Sequence, residues 1–210
     1  MNKTKFPTIH SIVRRFGTQI RHSLMIALAL TNVCPSHALA QDGHAHKTTQ
    51  QSQKAADEQS DPGALLKIVR DATERFKNVL VAEAEGYALQ FGCVSGSDSG
   101  AMGLHYVNGK IVETGELDPA RPQIVIYEPT ANGGLRLIGA DYLLFADAWH
   151  AKHSAPPQLM GQLFHLFESP NRFGLPAFYT LHVWAWKDNP NGAFVNWHPA
   201  VSCESFSGQK

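Results

Sequence analysis

His182 and His198 bracket the stretch HVWAWKDNPNGAFVNWH, which also carries three of the chain's four tryptophans around a turn signal at Asp188 to Gly192. If those five residues form a hairpin loop, Lys187 faces Ala193, and the pairs behind it are Trp186 with Phe194, Trp184 with Asn196, and His182 with His198. Side chains directly opposed on one face of an antiparallel pair have Cβ atoms roughly 4.5–5.5 Å apart. Two imidazoles at that spacing can converge on one cation. Trp184, Trp186 and Asn196 on the same stretch would then line a partly apolar ligand pocket with polar groups at one end. The competing reading is an aromatic core strand whose indole N–H groups are satisfied by neighbours.

Three further residues are candidates for such a centre. His105 is the isolated polar residue of Gly103-Leu104-His105-Tyr106, either a ligand or a hydrogen-bonded core histidine. Glu128 continues the phase of Ile124 and Ile126 to the end of a strand, and Asp141 shares the phase of Leu135 and Leu137. In a hairpin turning at Asn132-Gly133, Asp141 pairs near Ile124 and Glu128 near Leu137, which at roughly 3.3 Å per residue separates the two carboxylates by about 13 Å. They do not serve one site together, and Glu128, standing beside a loop, is the better candidate. The expected ligand set for a divalent metal ion is therefore His105, Glu128, His182 and His198.

Other stretches imitate known chemistry without supporting it. GSDSGAMG, residues 96–103, is similar to the Gly-Asp-Ser-Gly neighbourhood of protease serines, but no histidine motif precedes it and the domain is too small for a double barrel. It also lacks the Gly-Lys-Ser/Thr ending of a phosphate loop. His150 and His153 stand three apart, but Ser154-Ala155-Pro156-Pro157 after them makes an exposed turn.

The chain begins like an exported protein. Lys3, Lys5, Arg14, Arg15 and Arg21 precede the apolar run SLMIALAL and the cleavage signature Ala38-Leu39-Ala40, which predicts a signal peptide over 1–40. That leader holds five of the 18 basic residues and none of the 18 acidic ones, so the remainder stands at 13 against 18, a net charge of −5. An acidic chain without a Lys/Arg cluster is a poor match for nucleic acid or anionic lipid, and no apolar run reaches membrane-spanning length. Cys93 and Cys203 are the two cysteines beyond the leader, and in a secreted or periplasmic protein they are expected to form one disulfide.

Residues 41–62 are polar, aperiodic and free of aromatics, which predicts a disordered linker. From there Leu65, Val69, Ala72, Phe76 and Val79 recur at helical steps as far as Gly86, predicting one amphipathic helix capped by Asp61. Strands are expected over 87–94, 101–107, 123–128, 135–145, 159–166, 178–186 and 193–198, with turns at Asn108-Gly109 and Asn132-Gly133. One helix followed by many strands predicts a single α+β domain over 63–210, the helix packed on a curved, mostly antiparallel sheet or open barrel.

RFKNVLVAEAEGY, GAMGLHYVNG, PQIVIYEP and GLPAFYTLHVWAWKDNPNGAFVNWHPAVSC together resemble a group of exported bacterial proteins of unknown function, over roughly residues 72–203. Where that group tends to carry Glu in a G-x-E-Y segment, this chain has Asp141. The resemblance implies export and a single domain, and transfers no catalytic residue. The expected function is an exported β-rich domain that binds a divalent metal ion or small ligand in a His/Trp/carboxylate pocket. The alternatives are a hydrolase-like metal-dependent enzyme using the same residues, with Glu128 as ligand or general base, and a structural domain with no site.

Overall fold

The computed structural model describes residues 61–96 and 98–208; the expected leader and almost all of the expected linker lie outside them. Asp61 caps the first helix, α1 (Pro62–Thr73), its carboxylate accepting from the Gly63 N–H at 2.8 Å. The single helix expected as far as Gly86 is broken. Thr73 turns its hydroxyl back to the Val69 carbonyl, a 3₁₀ turn follows over Glu74–Lys77, and Asn78 caps a second helix, α2 (Val79–Ala84). The break lets Phe76 drop into the core edge-on to Tyr87, while the Tyr127 hydroxyl donates to the Phe76 carbonyl at 2.7 Å.

Six antiparallel strands form a curled half-barrel in the order β1-β2-β3-β4-β8-β7: β1 (Tyr87–Gly96), β2 (Gly100–Asn108), β3 (Ile124–Pro129), β4 (Leu135–Phe145), β8 (Phe178–Val183) and the edge strand β7 (His165–Phe167). Between them lie α3 (Gly109–Thr114), α4 (Ala146–His150) and a small separate hairpin of β5 (Gln158–Leu159) and β6 (Gln162–Leu163). Asn108-Gly109, expected as a hairpin turn, instead opens α3, because the Asn108 side chain caps it by accepting from the Ile111 N–H. The strand expected over 159–166 is split by the Met160-Gly161 turn, both of whose residues have positive φ.

Period-two alternation assigns each face of the sheet. Leu104, Tyr106, Val125, Tyr127, Leu137, Ala140, Tyr142, Leu181 and Val183 point towards α1 and α2, where Leu65, Val69, Phe76 and Ala82 bury against them. Val107, Ile124, Ile126, Leu143, Phe178 and Trp184 face the other way, under the loop residues Leu175 and Val201. The expected Cys93–Cys203 disulfide is present, with Cα atoms 5.7 Å apart, and ties this C-terminal segment to β1.

Residues 193–198 do not form the expected strand. The Ala185 N–H closes a three-residue turn onto the Val183 carbonyl at 2.8 Å, which ends β8 and reverses the alternation. Trp184 therefore stays on the loop-covered face, and Trp186 lands on the helix side.

Candidate metal centre

Register brings three polar side chains to one place on the loop-covered face. Ile124, Asp141 and His182 stand side by side across β3, β4 and β8, as the expected pairing of Asp141 with Ile124 implies. His105 lies one row along on the same face, paired with Ile126, which pairs in turn with Gly139. Backbones crowd closely here: a Cβ on Gly139 would meet the Val183 carbonyl oxygen at 2.5 Å, so a side chain there would push β8 away from β4.

His105, Asp141 and His182 are all at least 94% buried, and each offers a ligand atom within 4.8 Å of the others'. The Nε2 atoms of His105 and His182 are 3.3 Å apart, and His182 Nδ1 lies 3.8 Å from Asp141 Oδ1. His105 Nδ1 faces the Gly103 carbonyl at 3.2 Å, so it carries the proton and leaves Nε2 as a lone pair directed at His182. The Thr180 hydroxyl donates to Asp141 Oδ1 at 2.5 Å. His182 Nδ1 and Asn196 Oδ1 are both buried without a well-aligned hydrogen-bond partner among the described residues, although Asn196 lies near enough to favour the charged imidazole.

Burial sets the charge of the group. Desolvation lowers His105 to about 4, helped by His182, and lowers His182 to about 3, so both imidazoles are neutral donors of electron pairs at pH 7. Desolvation also raises Asp141 to about 6, against the pull of His105 and the Thr180 hydrogen bond, leaving it mostly ionised at neutral pH. Two neutral imidazoles and one carboxylate are a donor set for a borderline transition ion such as zinc, iron or copper rather than for calcium or magnesium. Two nitrogens bound about 2.0–2.1 Å from one tetrahedral ion stand roughly 3.3–3.4 Å apart, which the two Nε2 atoms match.

The remaining expected site residues lie elsewhere. Both carboxylate oxygens of Glu128 are taken by Lys187, at 2.8 and 2.9 Å, while Arg136 and the Ser202 N–H add further hydrogen bonds. Burial works to raise its pKa, but the Lys187 and Arg136 hydrogen bonds outweigh that and hold it low. A bulge in the β3–β4 pairing sets Glu128 opposite Arg136 rather than Leu137. His198 is not opposed to His182. It forms a bridge with Ala101, and its ring donates from Nε2 to the Asp188 carbonyl and accepts the Ala200 N–H at Nδ1, each at 3.1 Å. Trp184 packs between the two histidines, ring centroids 5.8 Å from His182 and 5.0 Å from His198, with its N–H on the Val195 carbonyl. Trp186 donates to the Thr73 hydroxyl at 3.0 Å, under the Lys77 ammonium. Asn196 is the one member of the expected pocket trio, apart from Trp184, that reaches the centre.

The three side chains border a cavity of about 30 Å³ whose other walls are largely apolar, among them Met102, Ile124, Leu143, Phe173 and Phe178. Phe91 reaches this cavity because β1 bulges between Gln90 and Cys93, where Phe91 adopts a φ of 64°. Neither Phe91 nor Thr180 carries a local signal marking it as a site residue. Comparison with protein-family models, with curated proteins and with solved structures finds no match.

Proposed function

We propose that this chain is an exported domain that binds one divalent transition ion through His105, Asp141 and His182. One observation carries the reading: two neutral, buried imidazole nitrogens 3.3 Å apart beside a buried carboxylate. Without a cation the arrangement is poorly satisfied. If His182 Nε2 carries no proton, two lone pairs face each other; if it donates to His105, His182 Nδ1 is left as a buried acceptor with no well-aligned partner. A bound ion takes up both Nε2 lone pairs and sets the His182 proton on Nδ1, 3.8 Å from Asp141 Oδ1 and near Asn196. The disulfide and the basic, apolar leader support export, and no helix among the described residues is long and apolar enough to cross a membrane.

The small volume beside the three side chains, about 30 Å³ between largely apolar walls, favours a binding domain over a hydrolase-like enzyme. Metal analysis of untagged protein, with thermal unfolding in the presence and absence of chelator, tests the proposal. One ion per chain and a lower Tm after chelation are expected, with the ion lost in both His105→Ala and His182→Ala. A metal-free protein indifferent to zinc, iron and copper would overturn it.

A further inference from the structure

Three protein donors do not complete a tetrahedral ion, and no fourth His, Cys, Asp or Glu joins the group among the described residues. What adjoins it is the apolar chamber. A cavity needs about 10–15 Å³ to hold one water, so the chamber of about 30 Å³ has room for roughly two water-sized particles, an ion and one ligand. Its half-buried boundary is a set of phenylalanines: Phe91 and Phe173 pack edge-on at 5.4 Å, and Phe167 meets Phe173 at 6.0 Å. The loop carrying Phe173 is held by Asn171, whose side chain accepts the Phe173 and Leu175 N–H groups and donates to the Leu175 carbonyl.

We infer that the ion held by His105, Asp141 and His182 keeps one open coordination position, facing this chamber, which takes a water-sized ligand from solution past the Phe91–Phe173 boundary. The inference rests on the metal reading above and adds to it an exchangeable small-molecule site, in place of a closed structural centre. The walls define the ligand. The apolar side chains offer no partner to a polar tail, so it has one donor end, to the ion, and little else. Water, a diatomic molecule or a small linear anion fits that description; a carboxylate on an aromatic ring does not. Between such apolar walls the attraction between ion and ligand is also less screened than in bulk water.

The test uses the full chain loaded with cobalt(II), whose visible absorption reports its coordination. Azide should produce a saturable spectral change in the wild type, and benzoate none. Phe173 offers no ligand atom to the ion, and in Phe173→Ala the opened boundary should let benzoate change the spectrum as well. A cobalt spectrum matching the wild type's before benzoate is added shows that the variant keeps the centre intact. Protein that takes up no cobalt overturns the metal reading and this inference together. Stoichiometric cobalt that ignores azide overturns the open position and leaves the metal reading standing. A benzoate response in the wild type, or none in Phe173→Ala, overturns the size limit set by the phenylalanines.

Discussion

His105 and His182 take up protons on unfolding, and Asp141 gives one up, so the metal-free protein has a defined pH dependence. Between about pH 4 and 6 the unfolded chain protonates both imidazoles near their ordinary 6.5, whereas the folded chain, with values of about 4 and 3, does not. Asp141 acts oppositely: its folded value of about 6 lies above the ordinary 3.8, so the folded state holds a proton the unfolded state has lost. Two protons against one leave the unfolded state the greater binder; these three groups make stability rise with pH at about 1.4 kcal/mol per unit across this window, and the lowered His198 and Glu128 act in the same direction. Urea titrations of chelated protein at several pH values check this; a flat or falling profile would contradict the burial argument. Substitutions separate the metal ligands from the polar residues that only hold structure. His198→Ala should cost about 1–3 kcal/mol through its two lost hydrogen bonds, and Glu128→Gln a similar amount by removing the charge that pairs with the mostly buried Lys187, both with metal content unchanged. Loss of the ion in either variant, measured by metal analysis, would mean the centre is larger than the three residues assigned.

At the scale of elements, the centre depends on how closely β4 and β8 approach. Gly139→Ala places a Cβ 2.5 Å from the Val183 carbonyl oxygen, a contact only backbone movement can relieve. It should destabilise by at least about 2 kcal/mol and weaken metal binding, because the pairing it disturbs is the one that sets Asp141 beside His182. Gly133→Ala, in the open β3–β4 turn at a φ of 80°, meets nothing within 4 Å. It should cost about 1 kcal/mol from backbone strain alone and leave the metal in place. Equal effects of the two on metal occupancy, measured side by side, would show that the β4–β8 approach does not position the site. Strand phase and the Asp141–Ile124 pairing were legible in the sequence, because alternation and a Gly-rich turn are local. The kink after Val183 was not, and a single three-residue turn was enough to move Trp186 to the opposite face and to leave His198 out of a hairpin.

For the whole molecule, the Cys93–Cys203 bond closes a loop of 110 residues and fastens the C-terminal segment over the sheet. Replacing both cysteines by serine should cost about 4–5 kcal/mol in the chain-entropy account, seen as a lower denaturation midpoint. Because the three proposed ligands sit on β2, β4 and β8, the variant should keep its ion at temperatures where it is folded; loss of metal from the folded variant would show that the C-terminal segment is part of the centre.

What the sequence determined alone is local or unique: a capped helix after a polar stretch, strands of period two and their buried faces, and one disulfide, since only two cysteines follow residue 40. It also marked His105 and His182 as polar residues in apolar strands. It did not pair them with each other. They are 77 residues apart, on strands separated by two others, and the choice of Asp141 over Glu128 turns on β8 lying against β4 rather than beside residues 193–198. Carboxylates of similar phase are alike in sequence. Tertiary structure distinguished them by their surroundings: Glu128 has cations within hydrogen-bond distance that neutralise it, whereas Asp141 has two uncharged imidazoles and a chamber.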